Sequence, residues 1–187
     1  MINVNHPDQR VAVFVDVQNL YYSAKNLYNA FVDFGAILKT VLGRRKLVRA
    51  FAYVIKAETG AENQFFNSLG VKGFEVKSKD LQIFYGGNKK GDWDVGLCMD
   101  VVRMMPRVDT VVLVSGDGDY SELVDYAKSN GVRVEVCAFS KTASSRLIET
   151  ADYFYDLSLE SKKYLIKKWS RNYFFYFHFF YFQLHYT

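Results

Sequence analysis

Thr110-Val111-Val112-Leu113-Val114-Ser115-Gly116-Asp117-Gly118-Asp119 is the stretch on which the fold turns. A continuous apolar run of strand length, with no alternation, suits a strand buried on both faces. It ends in small residues and two carboxylates, and a segment with helical spacing follows. Carboxylates at the carboxyl end of a parallel strand face the crevice where open α/β sheets bind ligands. The alternative is an acidic turn, because Gly and Asp are ordinary turn formers. The stretch alone does not decide between the two, so the flanking sequence must.

Working outward, Val11 to Val15 is a second unbroken apolar run, ending in Asp16. Helical spacing follows over 18–29 (Leu20, Ala24, Leu27) and over 33–42, where Asp33 is a natural cap. Leu47 to Ile55 reads as a strand, 60–69 as a helix, and Phe74 to Lys77 as a strand near an edge. Leu81 to Tyr85 is a short extended piece. Gly91 is expected to open a helix with Val95, Cys98, Val102 and Met105 on its apolar side and Pro106 past its end. After 109–114 come a helix near 120–129, closed by Asn130-Gly131, and a strand over 132–139. A helix over 143–150, a short strand at Tyr153-Phe154-Tyr155 and a helix over 159–168 complete the pass. Strands alternating with helices predict an α/β fold, three-layer α/β/α, with a parallel sheet and right-handed crossovers. One domain over 10–158 is expected, after an extension at 1–9 and before a helix and aromatic-rich basic tail at 159–187.

Composition narrows the chemistry. Half of the 187 residues are hydrophobic, enough for a sizeable core, and the net charge is +4. Five of the 24 Lys and Arg lie in residues 161–187, which hold no Asp or Glu, so the rest carries 19 basic against 20 acidic residues. The basic balance therefore belongs to the tail and does not argue for a basic nucleic-acid-binding domain. Cys98 and Cys137 lack CxxC spacing and read as free thiols in a reducing, cytoplasmic compartment. The N-terminus is polar without an apolar leader core, and no uncharged apolar stretch reaches the roughly 18 residues of a membrane span. Residues 173–187 hold ten aromatics in fifteen positions. Exposed, they would be an aggregation hazard; an interfacial anchor and a terminal extension unrelated to the chemistry are the two readings.

The three histidines, His6, His178 and His185, all lie outside the body. Residues 7–172 thus offer no His base, no Ser-His-Asp triad and no His-ligated zinc site. Carboxylates stand instead at three places where strands end or helices begin: Asp16; Asp92 and Asp94; and Asp117 and Asp119. If strands 11–15 and 109–114 are neighbours, Asp16 and Asp117 converge where strand order reverses, and the helix after Gly91 can bring Asp94 to the same rim. Clustered carboxylates repel one another, and a divalent cation relieves that. An oxygen-only donor set suits Mg²⁺ or Mn²⁺, which lowers the pKa of a bound water and stabilises charge at a phosphodiester. Asp16, Asp94 and Asp117 are the expected metal ligands, with Asp119 completing the catalytic set. Asn19, Lys90, Ser115, Ser144 and Arg146 are expected to contact substrate, as phosphate contacts do in nucleic-acid binders. Each residue has a structural alternative. Asp16 and Asp119 can be helix caps, Asp92 and Asp94 helix N-terminal charges, and Lys89-Lys90 a solvated loop. Asp100, six residues past Asp94, lies some 120° round the helix and suits a supporting or solvent role.

At these residues the sequence resembles the LabA-like group of NYN domains within the PIN-like nucleases. The pieces that carry the resemblance are VFVDVQNLYY at 13–22, KGDWDVGLCMD at 90–100, VLVSGDGDYSELV at 112–124 and RLIETADYFYDL at 146–157. It covers residues 10–157. The resemblance implies a PIN-like, Rossmannoid parallel sheet of order 3-2-1-4-5 and a metal-dependent ribonuclease site at Asp16, Asp94, Asp117 and Asp119. Tyr120 stands where Phe is common in the family, a difference expected to change little.

The leading expectation is a Mg²⁺- or Mn²⁺-dependent endoribonuclease with RNA as its partner. A non-catalytic RNA-binding module on the same fold is the alternative, and a second copy of the chain is left open as a partner. An aspartyl-phosphate phosphatase would want an acid two residues past Asp16, where Gln18 stands.

Overall fold

The computed structural model describes residues 5–56, 63–80, 82–83, 89–90 and 92–166. The aromatic tail at 173–187 lies outside them. The main sheet has six strands: β1 (Arg10–Asp16), β2 (Lys46–Lys56), β3 (Glu75–Asp80), β4 (Thr110–Val114), β5 (Arg133–Ala138) and β6 (Tyr153–Asp156). They lie side by side as β3-β2-β1-β4-β5-β6, every pair parallel. The expected 3-2-1-4-5 order is present, with β6 added at the edge. Strand order reverses between β1 and β4, where Val15 pairs with Val114.

The helices divide between the two faces. α1 (Val17–Tyr28), α2 (Phe34–Leu42) and α3 (Asn63–Val71) pack Leu20, Ala24, Ile37, Val41, Phe65 and Leu69 against Val11, Val13 and Val15. α4 (Asp94–Met104), α5 (Ser121–Ser129) and α6 (Ser145–Thr150) cover the other face, where Leu97, Val101, Val124 and Leu147 meet Ala12, Phe14 and Phe51. The alternation of side chains along β1 thus feeds two separate cores, which is why the run reads as continuously apolar. β3 is an edge strand whose residues are exposed or half-buried, as a charged edge should be.

Local chemistry sets the helix ends. Asp33 caps α2 by accepting from the N–H groups of Gly35 and Ala36 at 3.0 and 3.2 Å. Gly131, at φ 79°, occupies the left-handed region just past α5, which only Gly enters at no steric cost. Three expectations are corrected. α4 begins at Asp94, after two non-helical residues, and Gly91 lies outside the described residues. Its buried side is Leu97, Val101 and Met104, while Val95 is 73% exposed. Both stripes have helical spacing; the bulkier Leu and Met side chains win the sheet. The expected helix over 159–168 is only α7 (Ser161–Tyr164). Leu165–Ile166 instead pairs antiparallel with Phe31–Val32, anchoring the chain across the first face. Among the described residues no helix is long and apolar enough to cross a membrane.

Candidate active site

The carboxyl ends of β1 and β4 meet at the reversal; β1 ends in an acid, and the loop after β4 carries two. Asp16 is the last residue of β1 and caps α1, its Oδ1 accepting the N–H of Asn19 at 3.0 Å. Its other oxygen accepts from the hydroxyl of Ser115 at 3.4 Å. Asn19 in turn accepts the N–H of Gly116 at 2.9 Å through Oδ1, which leaves its amide NH₂ as a donor. Ser115 Oγ also accepts the N–H of Asp117 at 3.2 Å. Asp16, Asn19, Ser115 and Asp117 are therefore laced into one unit across two strands.

The two glycines of this loop are small because neighbours approach closely. A Cβ on Gly116 would stand 3.0 Å from the Cα of Ala143, and one on Gly118 would stand 2.8 Å from Ser144 Oγ. The N–H of Ser144 donates to the carbonyl of Gly116 at 2.9 Å. The loop after β5 thus packs directly on the acidic loop and places Ser144 against Gly118. Arg146 is held by Glu122 in an exposed pair on the α5–α6 surface. The side chain of Lys90 lies outside the described residues; its backbone is in a two-residue strand paired with Gln82–Ile83.

Asp117, not Asp119, is the capping residue here: its Oδ1 accepts the N–H of Asp119 at 3.0 Å and opens the short turn Gly118–Tyr120. Asp119 is exposed, and the cap of α5 makes no side-chain hydrogen bond. Asp94, in the first turn of α4, reaches the rim from the far side and accepts from the hydroxyl of Tyr120 at 3.0 Å. Tyr120 was expected to differ little from the common Phe, yet its hydroxyl is the group that reaches Asp94. It is 1% exposed, and burial beside Asp16 and Asp94 pushes its hydroxyl well above its ordinary pKa, so it stays a proton donor. Asp100 belongs elsewhere. It is buried on the other flank of α4, accepting from Tyr53 at 3.0 Å, Lys77 at 2.6 Å and Arg103 at 3.3 Å.

The electrostatics are unusual for a set of acids. Burial, with added repulsion from Asp94 and Asp117, pushes Asp16 up to about 6 against the hydrogen bonds that favour its charged form. Burial and the neighbouring Asp92, Asp117 and Asp119 push Asp94 up as well, against the hydrogen bond from Tyr120. Among the described residues none of Asp16, Asp94, Asp117 or Asp119 forms an ion pair. The donor chemistry suits a hard divalent cation: oxygen only, with uncompensated negative charge. The spacing is looser than the chemistry, since among the described residues no three His, Cys, Asp or Glu side chains stand close enough to hold one ion. Mg²⁺ keeps several waters and binds through as few as one or two carboxylates, so a close triad is not a requirement.

The NYN domain profile matches residues 10–160, most of the chain and all of the carboxylate rim. The chain belongs to the NYN domain family. Members of this NYN family are generally RNA-related nucleases. The chain is 25% identical over 157 residues to the low amplitude and bright protein LabA of Synechococcus elongatus, covering 80% of this chain and 84% of that protein. Its fold is also that of a protein of unknown function from Vibrio parahaemolyticus, known as a crystal structure. That likeness has a TM-score of 0.79 at 34% identity, over 87% of this chain and 99% of the other. The NYN resemblance read from the sequence motifs and the parallel α/β sheet are thus both established.

Proposed function

We propose that this NYN domain is a metal-dependent endoribonuclease that hydrolyses RNA phosphodiesters at the rim formed by Asp16, Asp94 and Asp117. The observation that carries the reading is a set of converging carboxylates, two with raised proton affinity and none with a basic partner among the described residues. A protein that leaves such a set uncompensated stores a demand for positive charge. Asp16, Asp94 and Asp117 would hold Mg²⁺ or Mn²⁺, which supplies an activated water and neutralises charge on the phosphodiester. The remaining roles fall to the chain itself. Ser115 and Asn19 fix the orientation of Asp16 and of the acidic loop, and the free amide of Asn19 can donate to a phosphate oxygen. Tyr120 holds Asp94 in place. Asp119, exposed at the mouth, and Ser144, against Gly118, border the space that a phosphodiester would enter.

The test is cleavage of a labelled RNA panel in Mn²⁺, Mg²⁺ or EDTA. Cleavage with either metal, none in EDTA, and a loss of about a hundredfold or more in Asp117→Asn are expected, since a metal contributes several kcal/mol at about 1.4 kcal/mol per factor of ten. Equal cleavage by Asp117→Asn would sink the assignment. A second reading, an RNA-binding module without turnover, draws on the loose spacing of the carboxylates. It predicts RNA binding with no cleavage under any metal, and no loss of binding in Asp16→Asn.

A further inference from the structure

On the opposite flank of α4 from Asp94 lies a groove of about 590 Å³ that the aspartate rim does not use. Arg49, Lys77, Arg103 and Arg107 line it, against the single carboxylate of Asp100. Its floor is Phe51, 1% exposed and covered by the guanidinium of Arg49 at 4.5 Å and the ammonium of Lys77 at 5.0 Å. Two of the cations are committed: Arg49 pairs with Glu75, and Lys77 with Asp100. The other two are presented to solvent. Arg103 touches Asp100 at only 3.3 Å with 68% of its side chain exposed, and Arg107 donates to the carbonyl of Arg103 and has no acidic partner among the described residues. In a chain whose residues 1–160 hold 19 basic against 20 acidic groups, this is a local excess of positive charge.

The groove is placed to continue the rim. Sheet register puts Asp16 beside Tyr53 and Tyr53 beside Lys77, so Lys77 stands at the level of Asp16 two strands away, about 10 Å across the sheet. Lys79, two residues further along β3, sits over the ring of Trp93 at 4.8 Å and donates to the carbonyl of Asp92 at 3.2 Å. Arg107, Arg103, Lys77 and Lys79 thus form a cationic track along α4 and β3 that ends at Asp92 and Trp93, immediately before Asp94 in the chain. The helix supplies about 16 Å of it, the length of several stacked nucleotides at about 3.4 Å each. No aromatic face in the groove is open to stack a base, because Phe51 is covered on its exposed side. Contact is then with phosphates and carries no sequence information.

We infer that the groove between α4 and β3 binds the phosphate backbone of a single RNA strand that runs on into the aspartate rim. The identity of the strand rests on the reading under Proposed function; the charge and the placement of the groove do not. The test is fluorescence anisotropy of the full chain in EDTA with labelled RNAs of roughly 12 and 3 nucleotides across a salt series. Arg103→Glu/Arg107→Glu weakens binding of the longer strand at least about tenfold at low salt and lowers the salt slope by about 1.4, two phosphate contacts at about 0.7 each. The shorter strand, which cannot span the groove and is repelled by the metal-free carboxylates of the rim, binds weakly to parent and variants alike. Arg103→Gln/Arg107→Gln gives the same change of slope with a smaller loss, and thermal melts check that the fold survives the loss of Arg103's bond to Asp100, which Tyr53 and Lys77 still hold. The inference is overturned if both variants bind the longer strand with unchanged affinity and slope, or if the parent binds neither RNA. Displacement of the strand by equimolar inorganic phosphate or nucleoside monophosphate also overturns it, marking a small-anion site. A strand that binds through the groove and stays intact in Mn²⁺ leaves the groove standing and removes the nuclease. Cleavage by the parent with indifferent groove variants does the reverse.

Discussion

Two carboxylates are set into the same parallel sheet and are treated in opposite ways. Glu135 on β5 is fully buried, and Arg45 meets both of its oxygens at 3.0 and 2.8 Å, Arg133 at 2.9 Å and Tyr155 at 3.2 Å. Among the described residues Asp16 on β1 receives one backbone N–H, one hydroxyl and no cation. A buried charge is tolerable only when it is paired and hydrogen-bonded. At Glu135 the chain provides the pairing itself, and the carboxylate serves the architecture. At Asp16 the described residues supply no such pairing, and repulsion from Asp94 and Asp117 is added.

Breaking each arrangement separates them by sign. Arg45→Ala strands Glu135 without its main partner and is expected to lower stability by about 3–5 kcal/mol in urea denaturation. A loss near zero would mean that Arg133 and Tyr155 suffice, and the contrast with Asp16 would shrink. Asp16→Asn is expected to act the other way. In chelator at pH near 7.5 it relieves an ionised group held about two pKa units high, and Asn caps a helix as well as Asp does. A gain of about 1–3 kcal/mol is expected, together with loss of activity.

Acidity sharpens the same point. The folded state binds the Asp16 proton more tightly than the unfolded chain does, with a pKa of about 6 against 3.8. Its contribution is therefore most favourable below about pH 4 and is lost as pH rises through 6. Metal-free wild type should lose stability across that window, Asp16→Asn should not, and Mg²⁺ or Mn²⁺ should flatten the wild-type curve. Asp109, lowered to about 2 mainly by its hydrogen bonds from Arg10, has the opposite sign. Its contribution is present above about 4 and fades toward 2, so the two effects occupy different windows. The smallest expected effect is Tyr120→Phe. It removes one hydrogen bond to Asp94, costing about 1 kcal/mol in a thermal melt, and lowers cleavage more than it lowers RNA affinity. Equal losses in both would make Tyr120 a packing residue only.

Much of this was readable in one dimension. The unbroken apolar runs at Val11–Val15 and Val111–Val114 marked strands covered on both faces, and the acids that ended them marked the reversal. What was hidden depended on contacts distant in sequence. Nothing near Asp100 announces Tyr53 and Lys77, which meet it from 47 and 23 residues away. The inward side of α4 was ambiguous because two apolar stripes overlap on one helix, and only the sheet selects between them. Leu165–Ile166 looked helical because its pairing partner, Phe31–Val32, is remote. Capping is an alternative role for Asp119 in the sequence, and the cap falls on Asp117, since two acids two residues apart offer the same local signal.

Gly116 and Gly118 have a consequence for how this sequence can drift. Each faces a neighbour on the loop after β5 that a methyl group would crowd, Gly116 against Ala143 and Gly118 against Ser144. The two loops behave as mated surfaces in which size on one side is a debt owed by the other. Gly118→Ala should be tolerated far better alongside Ser144→Gly than alone, because the obstruction is a side chain. Gly116→Ala meets backbone and has no such compensation. Positions 118 and 144 are therefore free to exchange bulk over evolutionary time, and position 116 is not.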